Sequence, residues 1–226
     1  MTFTIDEYVK GDCFDYLPTI PNDFVDLIFT SCPDLSQTKY DKTDSGIKGY
    51  KDFQKKVMNE FSRIVKPRGF VVICQTDRRI NGVILSNHLW YSKCMEDCGM
   101  KLKDYKIVVR NKVGKKDMYY FTFQHMLIFT YKGTIKRGGD WLKDIYVDNQ
   151  SKVLNQSVWT EDFCEYVIEH LTDVGDLVID SFAGMGVVLH TAKKLKRHYW
   201  GAEITDDFYN EGFKNKSVFK GIINND

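Results

Sequence analysis

Residues 176–186, Asp-Leu-Val-Ile-Asp-Ser-Phe-Ala-Gly-Met-Gly, constrain this chain more than any other stretch. The apolar run Leu177, Val178, Ile179 predicts a short buried strand. It ends in Asp180 and a small-residue turn, Phe182-Ala183-Gly184-Met185-Gly186, and apolar periodicity from Val187 to Leu195 then predicts a helix. Strand, glycine turn and helix form the nucleotide-binding corner of a doubly wound α/β sheet. The glycines let a ligand approach the backbone, and the strand's carboxyl end points into a crevice. Seventeen residues beyond Gly186, a second predicted strand, Tyr199-Trp200-Gly201-Ala202-Glu203-Ile204, carries an acid placed to accept hydrogen bonds from ribose hydroxyls.

Glycine turns also end ordinary strands, so the ligand is narrowed by what the stretch lacks. No third glycine completes a dinucleotide fingerprint, and no Gly-Lys-Ser/Thr follows for a triphosphate. What remains suits an adenosine-type ligand without a pyrophosphate, for which S-adenosylmethionine is the candidate cofactor.

The rest of the chain supports an alternation of strands and helices, hence a largely parallel sheet covered on both faces. Strands are predicted at Phe24–Thr30, Phe70–Cys74, Tyr105–Arg110 and Gln124–Thr130. Helices are predicted over Tyr50–Ile64, stopped by Lys66-Pro67-Arg68-Gly69, over about residues 84–98, and over Phe163–Leu171. The polar, lysine-rich stretch Leu35–Lys51 predicts a long mobile surface loop. At 226 residues, a single domain spanning 1–226 is expected. With 32 basic against 31 acidic residues, overall charge argues neither for nor against nucleic acid, which would have to be met by local patches. No signal-peptide pattern and no apolar run of membrane-spanning length is present. The six cysteines, Cys13, Cys32, Cys74, Cys94, Cys98 and Cys164, contain no Cys-x-x-Cys pair, and no histidine set completes a zinc site around Cys94 and Cys98. They predict reduced, mostly buried thiols in a cytoplasmic protein, with no metal site and no membrane partner.

Two strand ends share the chain, Phe-Ala-Gly-Met-Gly late and Thr-Ser-Cys-Pro-Asp early. This arrangement resembles the permuted DNA amino-methyltransferases, which modify the exocyclic nitrogen of cytosine (N4) or adenine (N6) and place the catalytic segment before the cofactor segment. The family opens with Gly-Asp-Cys and, after a spacer, Val-Asp-Leu-Ile-x-Thr-Ser-Pro-Pro-Tyr. Here Gly11-Asp12-Cys13 is followed by Val25-Asp26-Leu27-Ile28-Phe29-Thr30-Ser31-Cys32-Pro33-Asp34. Arg63-Ile64-Val65-Lys66-Pro67-Arg68-Gly69, the glycine turn and Gly201-Ala202-Glu203-Ile204 continue the likeness from about residue 11 to 209. The resemblance implies a Rossmann-like S-adenosylmethionine-dependent methyltransferase fold, with a mostly parallel seven-stranded sheet and helices on both faces. It implies a catalytic segment at 11–75, target-facing loops at 35–52 and 111–150, and a cofactor segment at 155–209.

Carried over residue by residue, Phe182, Ala183, Gly184 and Gly186 would line the methionine part of the cofactor. Glu203 would hold the ribose hydroxyls and Asp12 the adenine amino group, with Cys13 or Phe14 against the ring and Asp180 orienting the turn. Turn or cap chemistry alone would also account for Asp12 and Asp180. Where the family has His-Pro ahead of its last helix, this chain has Asn155-Gln156-Ser157-Val158-Trp159.

Ser31, Cys32, Pro33 and Asp34 occupy the catalytic motif. In the family, the first side chain and a following backbone carbonyl accept hydrogen bonds from both amine protons. This exposes the nitrogen lone pair to an already activated methyl group, so positioning and electrostatics supply most of the rate. An aromatic residue stacks on a base swung out of the helix. Cys32 keeps the carbonyl but not the rigidity of proline. Asp34 cannot stack and would repel phosphates, so weaker base capture is expected, unless Tyr40, Tyr50 or Phe53 supplies another ring. A covalent role for Cys32 is disfavoured because no basic neighbour activates it. Three functions stay open: an active methyltransferase with an altered base pocket, a catalytically inactive subunit that binds nucleic acid or a partner, and a methyltransferase for a substrate other than DNA, RNA included. Serine in the first position leans toward cytosine and leaves adenine open. DNA contacts are expected from Lys39, Lys42, Lys48 and Lys51, from Lys112, Lys115 and Lys116 beside Tyr119 and Tyr120, from Lys132, Lys136 and Arg137 beside Trp141, and from Arg78 and Arg79 facing the crevice. A homodimer or second subunit is expected by analogy only.

Overall fold

The computed structural model describes residues 2–40, 42–110, 121–134, 142–153 and 156–212. In chain order the elements are β1 (Glu7–Lys10), β2 (Val25–Thr30), α1 (Asp44–Ile64), β3 (Val65–Gln75), β4 (Arg78–Ile80), β5 (Val83–Leu85), α2 (Asn87–Asp97), β6 (Lys101–Arg110), β7 (Phe123–Thr130) and β8 (Ile145–Asp148). They continue through β9 (Ser151–Val153), β10 (Gln156–Val158), α3 (Glu161–Leu171), β11 (Leu177–Asp180), α4 (Val187–Lys194), β12 (His198–Glu203) and α5 (Asp206–Glu211).

Eight strands make one sheet in the order β1-β12-β11-β2-β3-β7-β6-β8. Every neighbouring pair is parallel except the two made by β7, which runs against both β3 and β6. The sheet is mostly parallel, as the sequence predicts, and β8 extends it by one strand beyond the expected seven. Parallel central strands are buried on both faces, which is why they read as continuous apolar runs. On one face Leu27, Phe29, Val72 and Val178 pack against Phe163, Val167 and Leu189 of α3 and α4. On the other, Ile28, Val71, Ile73 and Ile179 pack against Val57, Phe61, Tyr91 and Met95 of α1 and α2. Each such fully buried side chain contributes about 1.5–3 kcal/mol.

Helix α1 begins inside the stretch predicted as a loop. Thr43 caps it by accepting from the Gly46 N–H at 3.2 Å, and Asp44 sits favourably in its first turn. Its buried residues Tyr50, Gln54, Val57, Met58, Phe61 and Ile64 keep helical spacing, whereas Asp44–Gly49 lie largely toward solvent and leave no apolar period to read. Between β4 and β5, Asn81 (φ 50°) and Gly82 (φ 82°) take the paired left-handed conformations of a two-residue hairpin turn. All six cysteines are free thiols, and only Cys98 is not fully buried. Among the described residues, no helix is long and apolar enough to cross a membrane.

Candidate active site

The connection leaving β11 runs through α4 on one face of the sheet, while that leaving the adjacent β2 runs through α1 on the other. The strand ends therefore part and open a crevice at a topological switch point. A cleft of about 1910 Å³ lies there, along the carboxyl edge of the sheet. Asp12, Cys13, Phe14, Ser31, Cys32, Pro33, Asp34, Asp180, Phe182, Ala183, Gly184 and Glu203 all line it; of the candidate residues only Gly186 does not.

Gly184 (φ 52°) and Gly186 (φ 74°) hold the turn in left-handed backbone, which side chains disfavour. A Cβ on Gly184 would meet nothing within 4 Å, so the backbone there presents an open face. The Gly184 N–H donates to Glu203 Oε2 at 3.0 Å, and the Tyr8 hydroxyl donates to the Gly184 carbonyl at 2.6 Å. Glu203 Oε1 accepts from the Thr205 N–H and hydroxyl at 2.8 and 2.6 Å. Gly186 turns the chain into α4 by donating its N–H to the Ala183 carbonyl at 2.7 Å. In the β1–β12 register Lys10 stands opposite Glu203, which brings the following Asp12 to the same corner. Asp12 caps a short turn by accepting from the Phe14 N–H at 3.0 Å and is exposed to the cleft, so it serves both as a cap and as a lining acid. Cys13 is buried, which pushes its thiol far above the ordinary range. Phe14 meets Phe53 edge-on at 5.9 Å, and Phe53 tilts against Phe182 at 6.2 Å, completing an aromatic wall. Trp159 also lines the cleft, stacked on Phe29 at 4.9 Å with its indole N–H donating to Gln124 at 3.0 Å. Asn155 lies outside the described residues.

Asp180 joins the two halves. Its Oδ1 accepts from the Thr30 hydroxyl at 2.6 Å and from the Phe182 N–H at 3.1 Å. Burial pushes the Asp180 carboxyl up to about 7, while these two donors pull it back down.

Ser31 follows directly on β2, and its hydroxyl has no hydrogen-bond partner among the described residues. Cys32 is buried; burial pushes its thiol up to about 12, which fits its dismissal as a nucleophile. The Cys32 carbonyl accepts from Gln75 Nε2 at 2.7 Å, which fixes its direction and leaves it a second lone pair. Asp34 does line the cleft, but its carboxylate is ion-paired with Arg78 Nε, and Arg78 Nη2 donates to Ser36 Oγ at 2.7 Å. Of the three rings considered for base stacking, Tyr50 is fully buried with its hydroxyl on the Pro33 carbonyl at 3.1 Å, so it is a strut and not a platform. Phe53 belongs to the aromatic wall, and Tyr40 lies against Gly49, where a Cβ would come within 2.8 Å of its ring.

Three residues at this edge carry little sequence signal. Asp77, just beyond β3, bonds His88 Nδ1 at 2.8 Å and lies 3.5 Å from His125 Nε2. Burial alone would raise the Asp77 carboxyl, but the adjacent His125 imidazole and the hydrogen bonds from the His88 ring and N–H overcome it and hold it down at about 2. The two imidazoles stack 4.0 Å apart and 16° from parallel, with His88 Nδ1 and His125 Nε2 both turned to the Asp77 carboxylate, so three ligand-type atoms lie within 4.8 Å of one another. The trio tethers the start of the Arg78 hairpin.

The basic groups divide. Lys39, Arg78 and Arg79 line the cleft, Lys42 and Lys48 are exposed nearby, and Lys51 lies over the Trp90 ring at 5.1 Å. Lys132 is on the wrong edge: β7 runs antiparallel, so Lys132, two residues past its end, donates its N–H to the Pro67 carbonyl near the start of β3, away from the cleft. Lys112, Lys115, Lys116, Tyr119, Tyr120, Lys136, Arg137 and Trp141 lie outside the described residues.

The DNA methylase family model for N6/N4 methyltransferases matches residues 25–214, most of the chain. The chain belongs to the N6/N4 DNA methylase family. Type II methyltransferase M.BglII of Bacillus subtilis is 24% identical over 243 residues, covering 90% of this methylase and 67% of the relative. PvuII DNA methyltransferase (cytosine-N4-specific) superposes with TM-score 0.81 at 17% identity, covering 100% of this chain and 89% of that one. M1.HpyAVI, solved as its SAM complex, superposes with TM-score 0.70 at 18% identity, covering 93% and 98%. At these identities the likeness to solved structures establishes the methylase fold. The chain spans between 58% and 67% of the length of the curated type II relatives it matches.

Proposed function

We propose that this methylase transfers the methyl group of S-adenosylmethionine to the exocyclic amino group of a DNA base, cytosine N4 or adenine N6, presented out of the helix. The observation that carries this reading is the Thr30–Asp180 hydrogen bond, which ties the Ser31 turn and the glycine turn into one cleft. The residues present fit the cofactor: Gly184 offers open backbone, Glu203 and Asp12 supply acceptors at one corner, and Phe14 and Phe182 supply apolar walls. When bound, the cofactor supplies an electrophilic methyl group on a sulfonium.

The chain's own part is positioning. The Ser31 hydroxyl and the Cys32 carbonyl accept the two amine hydrogens, which turns the nitrogen lone pair toward the cofactor side of the cleft. Gln75 holds the Cys32 carbonyl in place for this. In this reading the stretch from Gly11 to Gln75 is catalytic, that from β10 to α5 holds the cofactor, and residues 35–52 with the Arg110 and Phe121 flanks of the β6–β7 connection face the target.

Calorimetric titration of S-adenosylmethionine tests this first, with Gly184→Trp as the blocked control. Binding that is lost in a folded Gly184→Trp variant supports the reading. A folded wild-type protein that binds no cofactor overturns it in favour of a non-catalytic subunit.

A further inference from the structure

We infer that the Arg78 guanidinium is the planar platform on which the extrahelical base stacks, replacing the aromatic side chain that Asp34 displaces. This rests on the base-methylation reading above. Asp34 stands where the catalytic motif calls for a ring, and its carboxylate is spent on Arg78 Nε. Ser36 Oγ takes Nη2 of the same guanidinium at 2.7 Å. Two acceptors on one edge fix the plane of the group. Nη1 has no partner among the described residues, and the Arg78 side chain is 41% exposed in the cleft beside Ser31–Asp34.

A guanidinium so held is flat, weakly hydrated and cationic, and bases stack on such planes much as they stack on aromatic rings. The ion pair also removes the repulsion that a bare Asp34 carboxylate would exert on phosphates. Of the alternative rings, Tyr50 is buried and Phe53 packs against Phe182 in the aromatic wall, while Tyr40 lines the same cleft with its ring against Gly49 and Phe53; Arg78 is the planar group bonded directly to the residue in the motif's ring position. The backbone supports the placement, because Arg78 opens the short hairpin tethered through Asp77 to His88 and His125.

The test separates plane from charge. Binding of a fluorescent single-stranded oligonucleotide is measured by anisotropy at two salt concentrations for wild type, Arg78→Lys, Arg78→Ala and the double variant Asp34→Tyr with Arg78→Ala. Binding needs no turnover, so it reports on the platform whether or not methyl transfer is observed. Stacking predicts that Arg78→Lys loses about five- to tenfold in affinity with an unchanged salt slope, and that the double variant recovers most of the loss Arg78→Ala suffers. On the enzyme, the same variants raise KM for DNA while S-adenosylmethionine affinity is unchanged. Arg78→Lys binding like wild type, or no recovery on adding the tyrosine, overturns the inference and leaves Arg78 as a charge or a strut.

Discussion

The Thr30 hydroxyl donates to the Asp180 carboxylate across 2.6 Å, linking strand ends 150 residues apart in the chain. Both residues are buried, Thr30 completely. Thr30 precedes the Ser31 turn and Asp180 precedes the glycine turn, so this hydrogen bond carries the β2–β11 pairing one step further and ties the two halves of the cleft together.

Replacing Thr30 with valine keeps the shape and deletes the donor. Stability is expected to fall by about 1–3 kcal/mol, the cost of leaving a buried acceptor short of a partner. Urea unfolding measures this, and cofactor affinity should fall with it.

Asp180 makes stability depend on pH. In the unfolded chain this carboxyl ionises near pH 4, whereas in the folded protein burial raises it to about 7 against the pull of the Thr30 and Phe182 donors. Between those values the folded state holds a proton that the unfolded state has released. The stability contribution is therefore full below the unfolded pKa and is lost as pH rises to about 7. Unfolding at pH 5 and pH 8 should show this decline in wild type, and Asp180→Asn should flatten it. A cationic ligand in the cleft favours the ionised form, so S-adenosylmethionine binding near neutral pH should release protons, seen by calorimetry in buffers of different ionisation enthalpy.

Gly201 lies in β12 directly beneath α4. An added Cβ would stand 2.6 Å from Leu189 Cδ1 and 2.7 Å from the Asp180 carbonyl. Gly201→Ala is expected to lift α4 from the sheet at a cost of about 1–3 kcal/mol, with a matching loss of cofactor affinity. A thermal melt and a titration read both effects.

In the proposed reaction Gln75 acts through the Cys32 carbonyl that it holds. Its replacement by alanine frees that carbonyl to swing, and misplacement on this scale costs a factor of about ten to a hundred in turnover. Steady-state kinetics should show kcat falling with KM for the cofactor unchanged.

Much of this was legible before the fold was known, because the signals are local. The glycine turn, the acid at the end of β12 and Ser31 at the end of β2 each announce themselves within a few residues. The Asn81-Gly82 pair likewise carries a hairpin signal, which the helical pattern over 84–98 obscures. The short strands β8, β9 and β10 have no such signature; β8 is defined by its pairing with β6. The partner of Asp34 was beyond local reading, since the carboxylate that looks unfit for a base pocket is neutralised by an arginine 44 positions away. Sheet direction decides the fate of the basic clusters, and only the antiparallel course of β7 shows that Lys132 leaves the cleft.

The measurement that tests the central claim most directly is transfer of a labelled methyl group from S-adenosylmethionine to mixed-sequence DNA, followed by digestion to nucleosides. The account predicts label in N4-methylcytosine or N6-methyladenine, abolished when Gly184 is replaced by tryptophan. Label confined to 5-methylcytosine, or no label from a folded protein that binds the cofactor, would contradict it.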